Sequence, residues 1–273
     1  MYAEYWQLDA KPFEPTVTEE SYFPSETHDG ALLKLRYAVD QRRPAAALAG
    51  PSGVGKTLLV DRMIDDLGEG VSPVARVVFP QMSPRDLLTH IADALGAPQA
   101  ETPRHSTNEA IGRIDRLLAS NAAAGRHALL VIDEAQLLED SGLLETIRLL
   151  LNLAAGATPR LTLLLVGQMG LLSAVGRSPA LEERLSVKTL LRSFVPGETA
   201  EYVRRRLDAA GASREVFTPA ALRAVHQLTG GVPRQIDRLC DLSLLVGFAE
   251  QLAEIDEPQI QSVSKELLAV SAD

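Results

Sequence analysis

The sequence predicts an α/β fold, a parallel sheet covered on both faces by helices, followed by a smaller all-helical domain. Short apolar runs without polar interruption alternate with amphipathic segments as far as about residue 195. Strands apolar at every position are those buried on both faces, as in parallel sheets. Beyond about residue 197 the strand-like runs stop and only helical spacing remains. Aromatic residues make up only 4% of the chain. The core must therefore be built mainly from Leu, Val, Ile and Ala, which suits helices on a parallel sheet better than an aromatic-rich sandwich.

Residues 1–27 are polar and punctuated by proline, with Trp6, Phe13, Tyr22 and Phe23 scattered among them, and read as an irregular arm pinned by its aromatics. Residues 28–41 place apolar side chains at helical spacing. The strand-like runs are 45–50, 74–79, 128–133, 161–167 and 187–191, and helix-like stretches lie between them near 56–67, 84–95, 108–124, 141–154 and 170–175. After residue 197 come successive helices, two with clear starts at Thr218 before Pro219 and at Asp256 before Pro258. The expected division is an N-terminal arm (1–27), a core domain (28–195) and a helical domain (196–273).

The bulk numbers exclude several classes. A formal net charge of −9 over 273 residues argues against non-specific polyanion binding, which rests on Lys and Arg. The single cysteine, Cys240, cannot close an intramolecular disulfide and fits a reducing compartment. No run approaches the ~18–20 apolar residues that span a bilayer. The acidic, proline-containing start does not read as a signal peptide, so a cytoplasmic location is expected, with peripheral membrane association left open.

The first strand runs into "GPSGVGKT": Gly50, Pro51, Ser52, Gly53, Val54, Gly55, Lys56 and Thr57, with Leu58 continuing into a helix. This fits the full G-x-x-x-x-G-K-[ST] phosphate loop. Its glycines let backbone N–H groups form a nest for phosphate oxygens, and the helix N-terminus adds partial positive charge. Lys56 is expected to reach the β- and γ-phosphates of ATP, or the β-phosphate of ADP, and the Thr57 hydroxyl to ligate Mg²⁺. A glycine-rich turn matching by accident is the alternative, and its placement between strand and helix weighs against it.

"ALLVIDEAQLL" (128–138) ends a wholly apolar strand in Asp133 and Glu134. Beside a phosphate loop, Asp133 is expected to help hold Mg²⁺ and Glu134 to act as general base on the attacking water. Gln168 ends a further buried strand, "LLLVGQ", and either orients water near the γ-phosphate or is simply a strand-end amide. Arg184, just before the last strand, either completes a neighbouring subunit's site as an arginine finger or pairs locally with Glu182 or Glu183. Arg234 opens a helix of the second domain, where a cation can cover the γ-phosphate. His28, His90, His105, His127 and His226 lack metal-ligand spacing, and Cys240 reads as core. "RRR" (204–206) reads as a solvated helix face and as the best local basic patch; no strong nucleic-acid signal accompanies it.

The order of phosphate loop, "VIDEAQ", "LLLVGQ", pre-strand Arg and "GVPRQID" resembles the AAA+ ATPases, and within them the ExeA/GspA-type secretion ATPases and their exopolysaccharide- and prosortase-associated relatives. The N-terminal "YWQLDAKPFEP" is similar to that family's opening, apart from Gln where the family commonly has Gly. Transposition helpers of the TniB type share the DEAQ and GQ phrases. The resemblance implies a three-layer αβα sandwich with strand order 5-1-4-3-2 and a C-terminal helical lid. It implies ATP hydrolysis with Mg²⁺ and roles for Lys56, Thr57, Asp133, Glu134, Gln168, Arg184 and Arg234. It also puts Tyr22 and Phe23 near the adenine.

The function expected is Mg-dependent ATP hydrolysis driving assembly or conformational change in a secretion or cell-envelope-associated system. The partners expected are further copies of the chain, possibly a ring completed by the finger in trans, and proteins of that system. A DNA-associated ATPase of transposition-helper or initiator type shares the nucleotide chemistry. A non-hydrolysing ATP-binding scaffold is the third reading.

Overall fold

A computed structural model describes residues 2–14, 22–78, 80–99, 106–140, 142–156 and 158–270. Phe79, the end of one expected strand, and Ser141, the start of one expected helix, lie outside the described residues, as do parts of the expected N-terminal arm and the last residues of the expected helical domain. In chain order the first elements are α1 (Tyr2–Tyr5), α2 (Glu26–Asp40), β1 (Ala45–Ala49), α3 (Lys56–Asp65), β2 (Val71–Val77), α4 (Pro84–Ala94), α5 (Thr107–Ala123) and β3 (His127–Ile132). Next come α6 (Leu137–Asp140), α7 (Leu144–Leu153), β4 (Leu161–Gly167), α8 (Gly170–Gly176), α9 (Pro179–Glu182) and β5 (Leu185–Leu190). The chain continues with α10 (Pro196–Ala209), α11 (Pro219–Thr229), α12 (Pro233–Ala249) and α13 (Glu257–Val270). The residues gather into two compact units, one of Thr27–Ser52 with Lys56–Leu191, the other of Met1–Glu26, Gly53–Gly55 and Arg192–Asp273.

The first unit is built on a five-stranded sheet in the order β2-β3-β4-β1-β5, which is the expected 5-1-4-3-2 read from the other edge. Every pairing is parallel. β1, β3 and β4 are buried at every position, as their almost wholly apolar sequences require of strands covered on both faces. Ala49 pairs with Gly167 and Ile132 with Leu165, so β1, β4 and β3 deliver their carboxyl ends to one edge. At the opposite edge a buried chain of side chains ties the same three strands. His127 Nε2 lies 2.8 Å from the Thr162 hydroxyl, which donates to the Arg43 carbonyl at 2.6 Å. The Thr proton is spent on Arg43, so His127 Nε2 carries the hydrogen.

A few boundaries differ from the sequence reading. β2 starts at Val71 rather than 74 because Pro73, which argues against a central strand, sits in an edge strand. The helix expected over 141–154 is α7, beginning at Leu144, with the short α6 before it, and short α9 precedes β5.

The second unit has its own core, and the N-terminal aromatics belong to it. Trp6 is wholly buried and its indole N–H donates to the Leu244 carbonyl at 2.9 Å. Gly247 makes room for it, since a Cβ there would sit 2.8 Å from the Trp6 ring. At 150–250 Å² per buried aromatic, Trp6 alone contributes ~4–6 kcal/mol of apolar burial as an upper bound. Phe13 meets Phe217 edge-on, with ring centres 6.4 Å apart. Residues 1–27 are thus not irregular throughout, and α1 forms part of this packing.

"RRR" is a solvated face only in part. Arg204 and Arg205 are exposed, but Arg206 is 2% exposed and donates to the carbonyls of Pro12 and Glu14, each at 2.6 Å. The helix starts hold as expected: Thr218 accepts from the Ala221 N–H, and Asp256 from the Glu257 N–H. Cys240 is buried core.

Candidate functional site

β1 hands over to the loop at Gly50, whose N–H donates to the Gly167 carbonyl at 3.2 Å and so starts the loop beside the end of β4. Gly53 and Gly55 have φ of +80° and +96°, values natural only to glycine, and they turn the chain back into α3. Val54 is buried, while Ser52 and Thr57 are exposed. Lys56, the first residue of α3, is 8% exposed and donates from Nζ to the carbonyls of Gly50 and Pro51, each at 2.9 Å. Its ammonium is folded over the loop that carries it. The loop tip, Gly53–Gly55, belongs with the helical unit. There the Arg234 N–H, at the start of α12, donates to the Gly53 carbonyl at 3.2 Å. A Cβ on Gly53 would come within 3.0 Å of Arg234 Cβ.

The turn after β3 is fixed to both neighbouring strands. The Asp133 N–H donates to Val77 of β2 and the Ala135 N–H to Val166 of β4, each at 2.8 Å. Asp133 is buried, 6% exposed. Its Oδ2 accepts from Arg76 at 2.8 Å and lies 3.4 Å from the Thr57 hydroxyl, while Oδ1 accepts from the Glu134 N–H at 2.9 Å. Arg76 also pairs with Asp61 of α3 at 2.6 Å. Burial opposes the charge on Arg76, but Asp133 and Asp61 outweigh it and hold its pKa above the ordinary value. Arg76 was not singled out from the sequence; the available signal was a lone cation inside the apolar run "VARVVF".

Glu134 follows with φ +49°, a left-handed conformation that costs a non-glycine residue ~1 kcal/mol or more. Its Oε2 accepts from Gln136 Nε2 at 2.6 Å, and Gln168 Nε2 stands 3.5 Å away. Gln136 Oε1 in turn accepts from the Gln168 backbone N–H at 2.9 Å. Gln136 is a second residue that the sequence reading left without a role at the site.

Thus Gly50, Lys56, Thr57, Asp133, Glu134 and Gln168 come together at the carboxyl edge of β1, β4 and β3, where α/β folds bind ligands. Arg184 does not join them. Leu185 pairs with Ala45, four residues before the end of β1, which at ~3.3 Å per residue leaves Arg184 roughly 13 Å from its own loop. Its guanidinium donates to Asn152 at the end of α7, and Glu182, offered as its local partner, pairs with Lys188 instead. Phe23 packs edge-on against Phe194 and Tyr202, with ring centres 5.2 and 6.0 Å away, and Tyr22 is buried beside it in sequence.

The residues fit a nucleotide triphosphate with a divalent cation. The left-handed glycines make a cradle too tight for side chains at Gly53, and a lysine ammonium and the N-terminus of α3 supply positive charge. Thr57 and Asp133 offer the hard oxygen donors that Mg²⁺ prefers. Among the described residues there is no cluster of three or more His, Cys, Asp or Glu arranged for another metal. Nor is any helix among them long and apolar enough to cross a membrane.

Comparison with known proteins agrees with this geometry. The family model described as AAA domain matches residues 39–175, a span holding the loop, the acidic pair and Gln168. The chain is 32% identical over 273 residues to general secretion pathway protein A of Aeromonas hydrophila, covering 99% of this chain and 49% of that protein. It therefore spans about half the length of the curated relative it matches. Among solved structures it is similar to the ORC2 protein of Aeropyrum pernix in ADPNP–ADP complexes, at TM-score 0.69 and 18% identity over 94% of this chain and 71% of that one. It is also similar to Drosophila ORC bound to DNA, at TM-score 0.72 and 16% identity over 97% and 66%. The RuvB branch migration motor of Thermotoga maritima follows at TM-score 0.58 and 18% identity over 93% and 73%. At these identities the structural likenesses are of fold.

Proposed function

This chain belongs to the AAA domain family and is a P-loop ATPase related to general secretion pathway protein A, and on that premise we propose that Mg-dependent ATP hydrolysis by it drives assembly or conformational change in a secretion or cell-envelope-associated system. The observation that carries the proposal is the meeting of Lys56, Thr57, Asp133, Glu134 and Gln168 at one sheet edge. Lys56 Nζ exchanges its loop carbonyls for phosphate oxygens and offsets their charge. Thr57 and Asp133 would hold a Mg²⁺, which when bound would screen the charge of the phosphates. Glu134 takes a proton from water as the water oxygen bonds to the γ-phosphorus and the bond to the ADP oxygen breaks, giving ADP and phosphate. Gln168 orients that water. Catalysis is then mostly positioning and electrostatics.

Arg184 lies too far along the sheet to serve its own loop, which supports a role on a neighbouring copy's nucleotide and hence a homo-oligomer. Arg234 is assigned to the γ-phosphate, and Phe23 with Tyr22 to the adenine side. The cytoplasm is the proposed place of action, facing the membrane machinery.

Glu134→Gln tests the reading. It should keep ATP affinity while turnover falls at least ~100-fold, the scale of a general base. Near wild-type phosphate release in that variant would sink the assignment. Light scattering of Glu134→Gln with and without ATP reads the oligomer, and an unchanged mass would remove the trans role of Arg184.

A DNA-associated reading draws on likeness to ORC bound to DNA. The net charge of −9 and the burial of Arg206 within "RRR" weaken it. Titrating labelled duplex at two salt concentrations decides, because phosphate contacts give a steep salt slope.

A further inference from the structure

We propose that Gln136 is a positioning residue that clamps the Glu134 carboxylate to the end of β4, so that Glu134 and Gln168 are held as one piece; this rests on Glu134 being the base. The two ends of one side-chain amide do different jobs. Nε2 donates to Glu134 Oε2 at 2.6 Å, and Oε1 accepts from the Gln168 backbone N–H at 2.9 Å. Reversing the amide would set oxygen against carboxylate oxygen and N–H against N–H, so both partners dictate the same orientation.

The route of the side chain is built into the strand. Gln136 crosses directly over Gly167, where a Cβ would lie 2.6 Å from its Oε1. Any larger residue at 167 would push the amide aside. The same Cβ would also sit 3.2 Å from Leu171 Cβ and Cδ2, a contact that helix α8 must absorb separately.

The clamp answers a problem that Glu134 poses. Its backbone is left-handed at φ +49°, and a carboxylate on a tight turn has several rotamers to choose from. The Ala135 N–H bond to Val166 anchors the turn, and Gln136 holds both the acid and the backbone of the residue assigned to orient water. Movement of the β4 end is thereby passed to the carboxylate.

The experiment pairs a structural readout on nucleotide-free protein with kinetics. In wild type the Gln168 amide should exchange slowly by NMR. Gln136→Met, which keeps volume and loses both bonds, should speed that exchange at least about fivefold, as losing one hydrogen bond implies. The same variant should lower kcat roughly 10- to 100-fold and leave KM for ATP within about twofold. Gln136→Glu keeps the acceptor and replaces the donor with a like charge, so the Gln168 amide should stay protected while kcat falls. Gly167→Ala should mimic Gln136→Met, and the double variant should be no slower than Gln136→Met alone. Unchanged Gln168 exchange in Gln136→Met, wild-type kcat in Gln136→Glu, or multiplying losses in the double variant would each overturn the clamp. Full turnover in Glu134→Gln would instead remove the base, a separate result that the exchange data do not share.

Discussion

Acid should loosen the sheet unit through one histidine, and the size of the effect follows from its surroundings. His127 is 2% exposed at the start of β3, bonded to Thr162. Burial, helped by the charge on Arg42, lowers its pKa from 6.5 to about 4. Between those values the unfolded chain binds a proton that the folded chain refuses, so stability rises with pH and is lost as pH falls from 6.5 toward 4. At 1.36 kcal/mol per pH unit, moving from pH 7.5 to 4.5 crosses ~2 units of this window and removes about 3 kcal/mol. His127→Gln keeps a donor for Thr162 and cannot be charged. Urea unfolding of both proteins by far-UV circular dichroism at the two pH values is the assay. Trp6 fluorescence, from the single tryptophan in the helical unit, should be the same in both proteins at each pH. If wild type and His127→Gln lose the same stability over this range, the buried, neutral histidine is wrong.

Asp237 should act with the opposite sign in the helical unit. Burial, against the opposing effects of Arg206 and the Tyr202 hydroxyl, raises its pKa from 3.8 to about 6. The folded state therefore holds the extra proton, and this contribution is full below 3.8 and lost as pH rises through 6, ~3 kcal/mol in all. The Trp6 transition should shift to lower urea between pH 4 and 6, and Asp237→Asn should flatten that dependence. Gly53→Ala forces a side chain into φ +80° beside Arg234. A strain of ~1–2 kcal/mol corresponds to roughly 5- to 30-fold weaker nucleotide binding, read by titration with a fluorescent ATP analogue; undiminished affinity would remove the cradle.

Local features of the chain were legible in advance, and features made by distant pairing were not. The phosphate loop, the apolar strands and the acids at residue 133 and 134 announce themselves because each motif is contiguous. The GspA-type resemblance carried by the motif order agrees with the 32% identity to general secretion pathway protein A. Arg76 and Gln136 stayed hidden because their meaning comes from neighbours 57 and 32 positions away, Asp133 and Gln168. The same holds for Arg206, whose partners Pro12 and Glu14 are 194 and 192 positions away. β2 extends back to Val71, past Pro73, because an edge strand tolerates the missing N–H.

The backbone at Glu134 sets stability against chemistry at a single residue. A left-handed φ of +49° suits glycine or asparagine, and either would relax the turn by ~1 kcal/mol while deleting the carboxylate. With Glu134 as the proposed base, directed selection of this chain for heat resistance alone would favour catalytically silent sequences at this position, and any such campaign must score turnover alongside melting temperature.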